Sequence, residues 1–162
     1  MKAFWNFLAS GFGVSLLPAT ILKGHKNTGA GFWGTLVAVP FAWWILMPLA
    51  WWAQLIFIIL FTFFAVYVTK KASFEGHDSP KIVIDEMAGY FFAVFYMPRT
   101  AFFVVAAFVL FRIFDWLKPL FIKYFDNMQT ASGVVLDDVA SGVLANVILW
   151  AVFWACVGLG LM

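Results

Sequence analysis

Three short sequences carry most of the chemistry this chain can offer: Asp85-Glu86, Arg112-x-x-Asp115-x-x-Lys118 and Asp137-Asp138. All eight carboxylates lie between residues 75 and 138, and the 74 residues before and the 24 after contain none. The surrounding composition is that of a membrane protein, with 65% hydrophobic, 21% aromatic and 11% charged residues. Ionisable groups near hydrocarbon are expensive, so they pair or they work. Carboxylates gathered at one place repel each other, and a divalent cation relieves that repulsion. Oxygen ligands without a histidine or cysteine cluster favour a hard ion such as Mg²⁺ over zinc. The candidate metal set is Asp85, Glu86, Asp115, Asp137 and Asp138, with Asp85, Glu86, Asp115 and Asp138 as the catalytic candidates.

Arg112, Asp115 and Lys118 follow the spacing i, i+3, i+6, which keeps them near one helical face. A guanidinium and an ammonium beside a metal-binding carboxylate make a phosphate clamp. Metal and cations together stabilise charge on a transferring phosphoryl group, and a metal can activate water. Hydrolysis of a phosphate monoester at a membrane surface is the chemistry these groups fit. A carboxylate nucleophile is a second route. Plainer roles exist for each residue alone: an Arg112–Asp115 ion pair, or Asp137 or Asp138 capping a helix. His77 is expected to be solvated or structural, and Glu75 and Asp126 to lie on the surface.

The elements that position these groups are read from charge-free runs. Residues 27–69 hold no charge, and Lys23, Lys26, Lys70 and Lys71 flank them. That run fits two membrane helices of about 20 residues each, turning near Pro48 with Trp51 and Trp52 at the interface. The lysines place both ends in the cytoplasm. Ser79-Pro80 is a helix start, predicting a helix over 79–97. Pro98-Arg99-Thr100 breaks it, and a second arm runs to Lys118, where Pro119 ends it. Asp85 and Arg112 are about equally far from this turn, so they should lie at one depth. A single crossing over 87–111 would instead separate them across the membrane. Residues 120–130 read as a surface-lying stretch, Ser132-Gly133 as a turn, and Asp137-Asp138 as the opening of a last crossing over 139–162. Ser141, Gly142 and Ala145, with Gly89 on the earlier arm, suit close helix contact.

The N-terminus resembles a signal peptide loosely, but Gly11, Gly13 and Pro18 interrupt it. It is expected to be retained as a short helix followed by irregular chain. A Gly-rich patch, Thr28-Gly29-Ala30-Gly31-Phe32-Trp33-Gly34-Thr35, precedes the first crossing. Its amides could hold phosphate, or its glycines could serve packing. The expected fold is therefore all-α, one domain over 1–162, with about four to five membrane helices in hairpins and an acidic site at the cytoplasmic interface. The formal charge of +2 is too small to suggest a nucleic-acid binder, Cys156 is expected to be an inert packed thiol, and oligomeric state is not legible.

Three motifs in order resemble those of the phosphatidylglycerophosphatase A family: Ile82-Val83-Ile84-Asp85-Glu86-Met87-Ala88-Gly89, Phe111-Arg112-Ile113-Phe114-Asp115-Trp116-Leu117-Lys118-Pro119, and Gly133-Val134-Val135-Leu136-Asp137-Asp138-Val139-Ala140-Ser141-Gly142. The resemblance spans most of residues 11–145. It implies Mg²⁺-dependent removal of the terminal phosphate of phosphatidylglycerophosphate, a membrane lipid, in the bacterial inner membrane during phosphatidylglycerol and cardiolipin synthesis. Where the family usually reads Pro-Gly-Thr-Trp-Gly-Ser, this chain has Ala30-Gly31-Phe32-Trp33-Gly34-Thr35, and Asp78-Ser79-Pro80 stands where Asp-Pro-Gly is common. The resemblance makes Gly31 and Gly34 backbone contacts to substrate beside Arg112 and Lys118. Two other classes stay in view. A cation- or proton-translocating protein would spread its carboxylates through membrane depth. A phosphatase of another lipid phosphate would differ in its headgroup pocket.

Overall fold

The structure, a computed structural model, describes residues 2–16, 29–74, 79 and 81–160. The expectations for Pro18, Lys23, Lys26, Thr28, Glu75, His77, Asp78 and Pro80 lie outside the described residues. All regular elements among the described residues are helical: α1 Lys2–Ala9, α2 Ala30–Phe41, α3 Trp51–Lys71, α4 Ile84–Ala93, α5 Ala101–Leu117, α6 Leu120–Asp126 and α7 Ala131–Gly158. A π-helical turn, Ala42–Leu46, extends α2. Pro40 inside α2 has no amide for the helical ladder, and the winding loosens just after it.

The turn expected near Pro48 forms, but of the two membrane helices expected in this run only the second is long enough to cross a membrane; the first, Ala30–Leu46, is a shorter apolar helix. The chain turns over residues 47–50 around Pro48, and α3 starts at Trp51 with Trp51 and Trp52 exposed. The second hairpin also forms, which excludes a single helix over 87–111. Its first arm is shorter than expected: α4 has 10 residues rather than the span 79–97. The cause is competition for its backbone at both ends. Before the helix, Val83 N donates to Ala9 O (2.8 Å) and Ser15 Oγ donates to Lys81 O (2.7 Å), so this stretch is held by the N-terminal segment. After the helix, Asn146 Nδ2 donates to Ala93 O (3.1 Å) and Phe95 O (2.8 Å), and Tyr96 takes a positive φ of 56°. Thr100 then caps α5, accepting from Phe103 N. Gln54, buried on α3, ties the two hairpin turns together. Its Nε2 donates to Leu49 O (2.9 Å) and its Oε1 accepts from Tyr96 N (3.0 Å).

Helix α4 is the axis of the molecule. It packs against α7, α2, α3 and α5, and all but two of its residues are buried. A helix apolar nearly all round needs such surroundings. Its tightest neighbour is α7: a Cβ on Gly142 would overlap Gly89 O, and one on Gly89 would lie 2.5 Å from Asp138 O. Only glycine lets the two backbones come this close.

Helix α7 starts earlier than the sequence predicts. Ser132-Gly133 is not a turn but lies in the helix's first turn, because Thr130 is the cap and accepts from Gly133 N (3.1 Å). Asp137 and Asp138 therefore sit inside the helix and cap nothing at its start. Helices α3 and α7 are long and apolar enough to cross a membrane, with mean hydropathy 2.1 and 1.9. Large side chains such as Trp44, Leu60, Phe63 and Trp154 face outward. Apolar surface of this extent belongs where lipid or a partner covers it. The short helix expected near the N-terminus forms as α1 and is followed by turns over residues 10–15.

The Gly89–Gly142 contact has a testable cost. Gly142→Val should lower stability by about 2–3 kcal/mol, read as a lower unfolding temperature in detergent. Gly158→Ala, which meets nothing within 4 Å, should leave it unchanged. Equal melting of the two variants would contradict the contact.

Candidate active site

The first turn of α4, the last turns of α5 and the second turn of α7 converge. Asp85 and Asp138 are buried and Glu86 is half-buried; one carboxylate oxygen from each lies within 4.8 Å of the others. Each acidic pair has the same local arrangement. Asp85 Oδ1 accepts from Glu86 N (2.9 Å), and Asp137 Oδ1 accepts from Asp138 N (3.0 Å). The second pair divides its work: Asp138 faces the cluster, while Asp137 turns toward α5 and accepts from Lys118 Nζ (2.6 Å).

Arg112 comes to the same place from α5. A Cβ on Gly31 would overlap Glu86 Oε1 and stand 3.0 and 3.1 Å from the two terminal nitrogens of Arg112. Glu86, next to Asp85, and Arg112 thus press on one glycine in the first turn of α2. Arg112 ion-pairs with Asp115 (2.8 Å). Asp115 is within electrostatic range of Glu86, Asp137 and Asp138.

Lys118 departs from the face shared by Arg112 and Asp115. It ends α5 in the left-handed conformation (φ 42°), which swings its side chain to Asp137 and Asp126. Burial alone disfavours its ammonium, but the hydrogen bonds of these two carboxylates outweigh that and hold its pKa above the ordinary lysine range. Asp126, expected to be a plain surface residue, is exposed but ion-paired.

Five carboxylates thus form two sets. Asp115 pairs with Arg112, and Asp137 shares Lys118 with Asp126. Asp85, Glu86 and Asp138 form the inner group, where Glu86 Oε2 and Asp138 Oδ1 are buried without a hydrogen-bond partner. Three carboxylates this close repel one another strongly in a partly dry site. Oxygen donors with unspent lone pairs, from two helices, fit a hard divalent cation. Gly31, in the first turn of α2, borders the group, and the cap residue, Gly29, has no side chain to bond that turn. Gly34 does not reach the acids; its missing Cβ makes room for Val83, which supports the start of α4.

Sequence reasoning missed the supporting contacts. Ser15, Val83 and Asn146 fix the ends of α4, and Asp126 shares Lys118. A polar Asn146 within an apolar helix was the available signal for its role.

Breaking the Lys118 contact leaves Asp137 buried without its cation. Lys118→Met should cost about 2–4 kcal/mol in stability, and adding Asp137→Asn should recover part of the loss. Denaturant titration of the three proteins measures this; no recovery in the double variant would contradict the pairing.

Comparison with known proteins agrees with the motif order. A family model described as Phosphatidylglycerophosphatase A matches residues 7–153. A Haemophilus influenzae protein named Phosphatidylglycerophosphatase A is 32% identical over 154 residues, covering 92% of this chain and 89% of that protein. An Escherichia coli protein of the same name is 32% identical over 150 residues, 90% of this chain and 81% of its own. A Bacteroides thetaiotaomicron protein that bears the provisional name phosphatidylinositol-3-phosphatase is 37% identical over 101 residues, covering 60% of this chain and 64% of that protein. No solved structure matches the chain. With all three acidic motifs inside the matched region, the chain belongs to the phosphatidylglycerophosphatase A family.

Proposed function

We propose that this protein is a membrane-embedded, Mg²⁺-dependent phosphatase that converts phosphatidylglycerophosphate into phosphatidylglycerol and inorganic phosphate. The observation that carries the reading is the convergence of Asp85, Glu86 and Asp138 beside Arg112. Family membership supports the substrate class. The location of the acids at one end of the helices, rather than through their depth, speaks against ion translocation.

Asp85, Glu86 and Asp138 would hold Mg²⁺. The ion, when bound, supplies a Lewis acid for the phosphoryl oxygens and lowers the pKa of water. Arg112 receives the phosphate, and its ion pair with Asp115 fixes the direction of the guanidinium. The first-turn amides of α2 around Gly31 add donors for phosphate oxygens. Lys118 keeps Asp137 in place and so steadies the α7 turn that carries Asp138. Water attacks phosphorus and gives its proton to a carboxylate of the set. The bond from phosphorus to the ester oxygen breaks, and the glycerol oxygen leaves as an alcohol, taking up a proton. Excluding bulk water strengthens each charge interaction in the site.

Lys70, Lys71, Lys81, Lys118 and Lys123 belong to the acidic end, whereas Arg99 sits at the opposite turn. By the positive-inside rule the site faces the cytoplasm, with the helices crossing the bacterial inner membrane.

The test is phosphate release from phosphatidylglycerophosphate by purified protein, with phosphatidylinositol 3-phosphate as the competing substrate. Wild type should need Mg²⁺ and stop with chelator. Asp85→Asn and Asp138→Asn should each lose at least about 100-fold in kcat. Release only from the inositol lipid would replace the headgroup assignment, and full activity in both variants would remove the metal-site assignment.

A further inference from the structure

Among the described residues, none covers one face of α5. Ala101, Phe102, Val105, Ala106 and Val109 line a shallow groove of about 490 Å³. Phe102 and Val105 are each 60% exposed and Val109 is 48% exposed. This face is not separate from the acidic site. Val109, Val105 and Ala101 precede Arg112 by three, seven and eleven residues, so they line up under it on one side of the helix. Trp116, one turn beyond Arg112, continues the same strip outward and is 81% exposed. The strip thus passes from an interfacial tryptophan to a guanidinium at the acidic cluster, and then to a wholly apolar groove.

We propose that this groove seats one acyl chain of the lipid whose phosphate Arg112 receives. The inference rests on the lipid-phosphatase reading above. A glycerophospholipid has the same order of chemistry along its length: anionic phosphate at the interface and hydrocarbon below it. Continuity with Arg112 distinguishes this face from the other lipid-facing surfaces, such as that of Leu60 and Phe63 on α3. Inside a bilayer the chain gains packing rather than escape from water. The groove therefore acts chiefly by orienting the substrate, holding the phosphate ester against the carboxylates. Arg112 and Val105 are about 10 Å apart along the axis at 1.5 Å per residue, so only a chain of some length reaches the groove's centre.

The experiment compares wild type, Val105→Trp and a control, Leu60→Trp, on two forms of phosphatidylglycerophosphate in mixed micelles, dioleoyl and dihexanoyl. Val105→Trp should lower kcat/KM for the dioleoyl lipid on the order of tenfold and leave the dihexanoyl rate near that of wild type. Leu60→Trp should match wild type on both. Unchanged dioleoyl kinetics in Val105→Trp would overturn the proposal. Equal loss on both lipids would overturn it too, as would a change in oligomer size showing that a second copy covers this face. If wild type cleaves neither lipid, the phosphatase reading itself fails and the groove assignment falls with it.

Discussion

Gly89 and Gly142 allow two helix backbones to touch at a point where any side chain would hold them apart. The acidic site depends on that contact. Asp138 lies one turn before Gly142 and Asp85 one turn before Gly89, so the distance between glycines sets the distance between carboxylates. Moving α7 away by the width of a methyl group would open the inner group by a similar amount. The contact requires α4 to be enclosed, and the short helix is wrapped by α2, α3, α5 and α7. Carboxylates carried on such a helix meet protein rather than lipid, which is how a chain so apolar tolerates them.

Charge is then managed in two layers. Arg112 and Lys118 each neutralise a carboxylate on the rim, Asp115 and Asp137. In the inner group, Glu86 Oε2 and Asp138 Oδ1 are buried without a hydrogen-bond partner. A purely structural cluster would be expected to pair every buried carboxylate, since an unpaired buried charge costs several kcal/mol. Two inner carboxylate oxygens without a hydrogen-bond partner are the physical case for a cation at the centre, and a buried Arg112 Nη1 in the same condition is the case for an incoming phosphate beside it.

Much of this was legible in sequence because charge is so scarce. Confinement of the acids to residues 75–138 located the site, and counting from the turn near Pro98 brought Asp85 and Arg112 to one depth. Small residues on α7 announced its close approach. Other features were hidden because they depend on contacts distant in sequence. The start of α4 is delayed by bonds from Ser15 and Ala9, which no local signal reveals. Lys118 leaves the helical face because the residue ending α5 turns left-handed, so helical spacing placed it beside Arg112 when it belongs with Asp126. Ser132-Gly133 carried turn chemistry but was overruled by the cap at Thr130.

On the proposed reading, Asp85, Glu86 and Asp138 hold a divalent cation together. The most direct measurement is titration of Mn²⁺ into the detergent-solubilised protein, with free ion followed by electron paramagnetic resonance. Wild type should bind saturably and release the ion to excess Mg²⁺. Asp138→Asn should abolish that binding, while Asp126→Asn should retain it. Equal binding by wild type and Asp138→Asn, or none by wild type, would contradict the account.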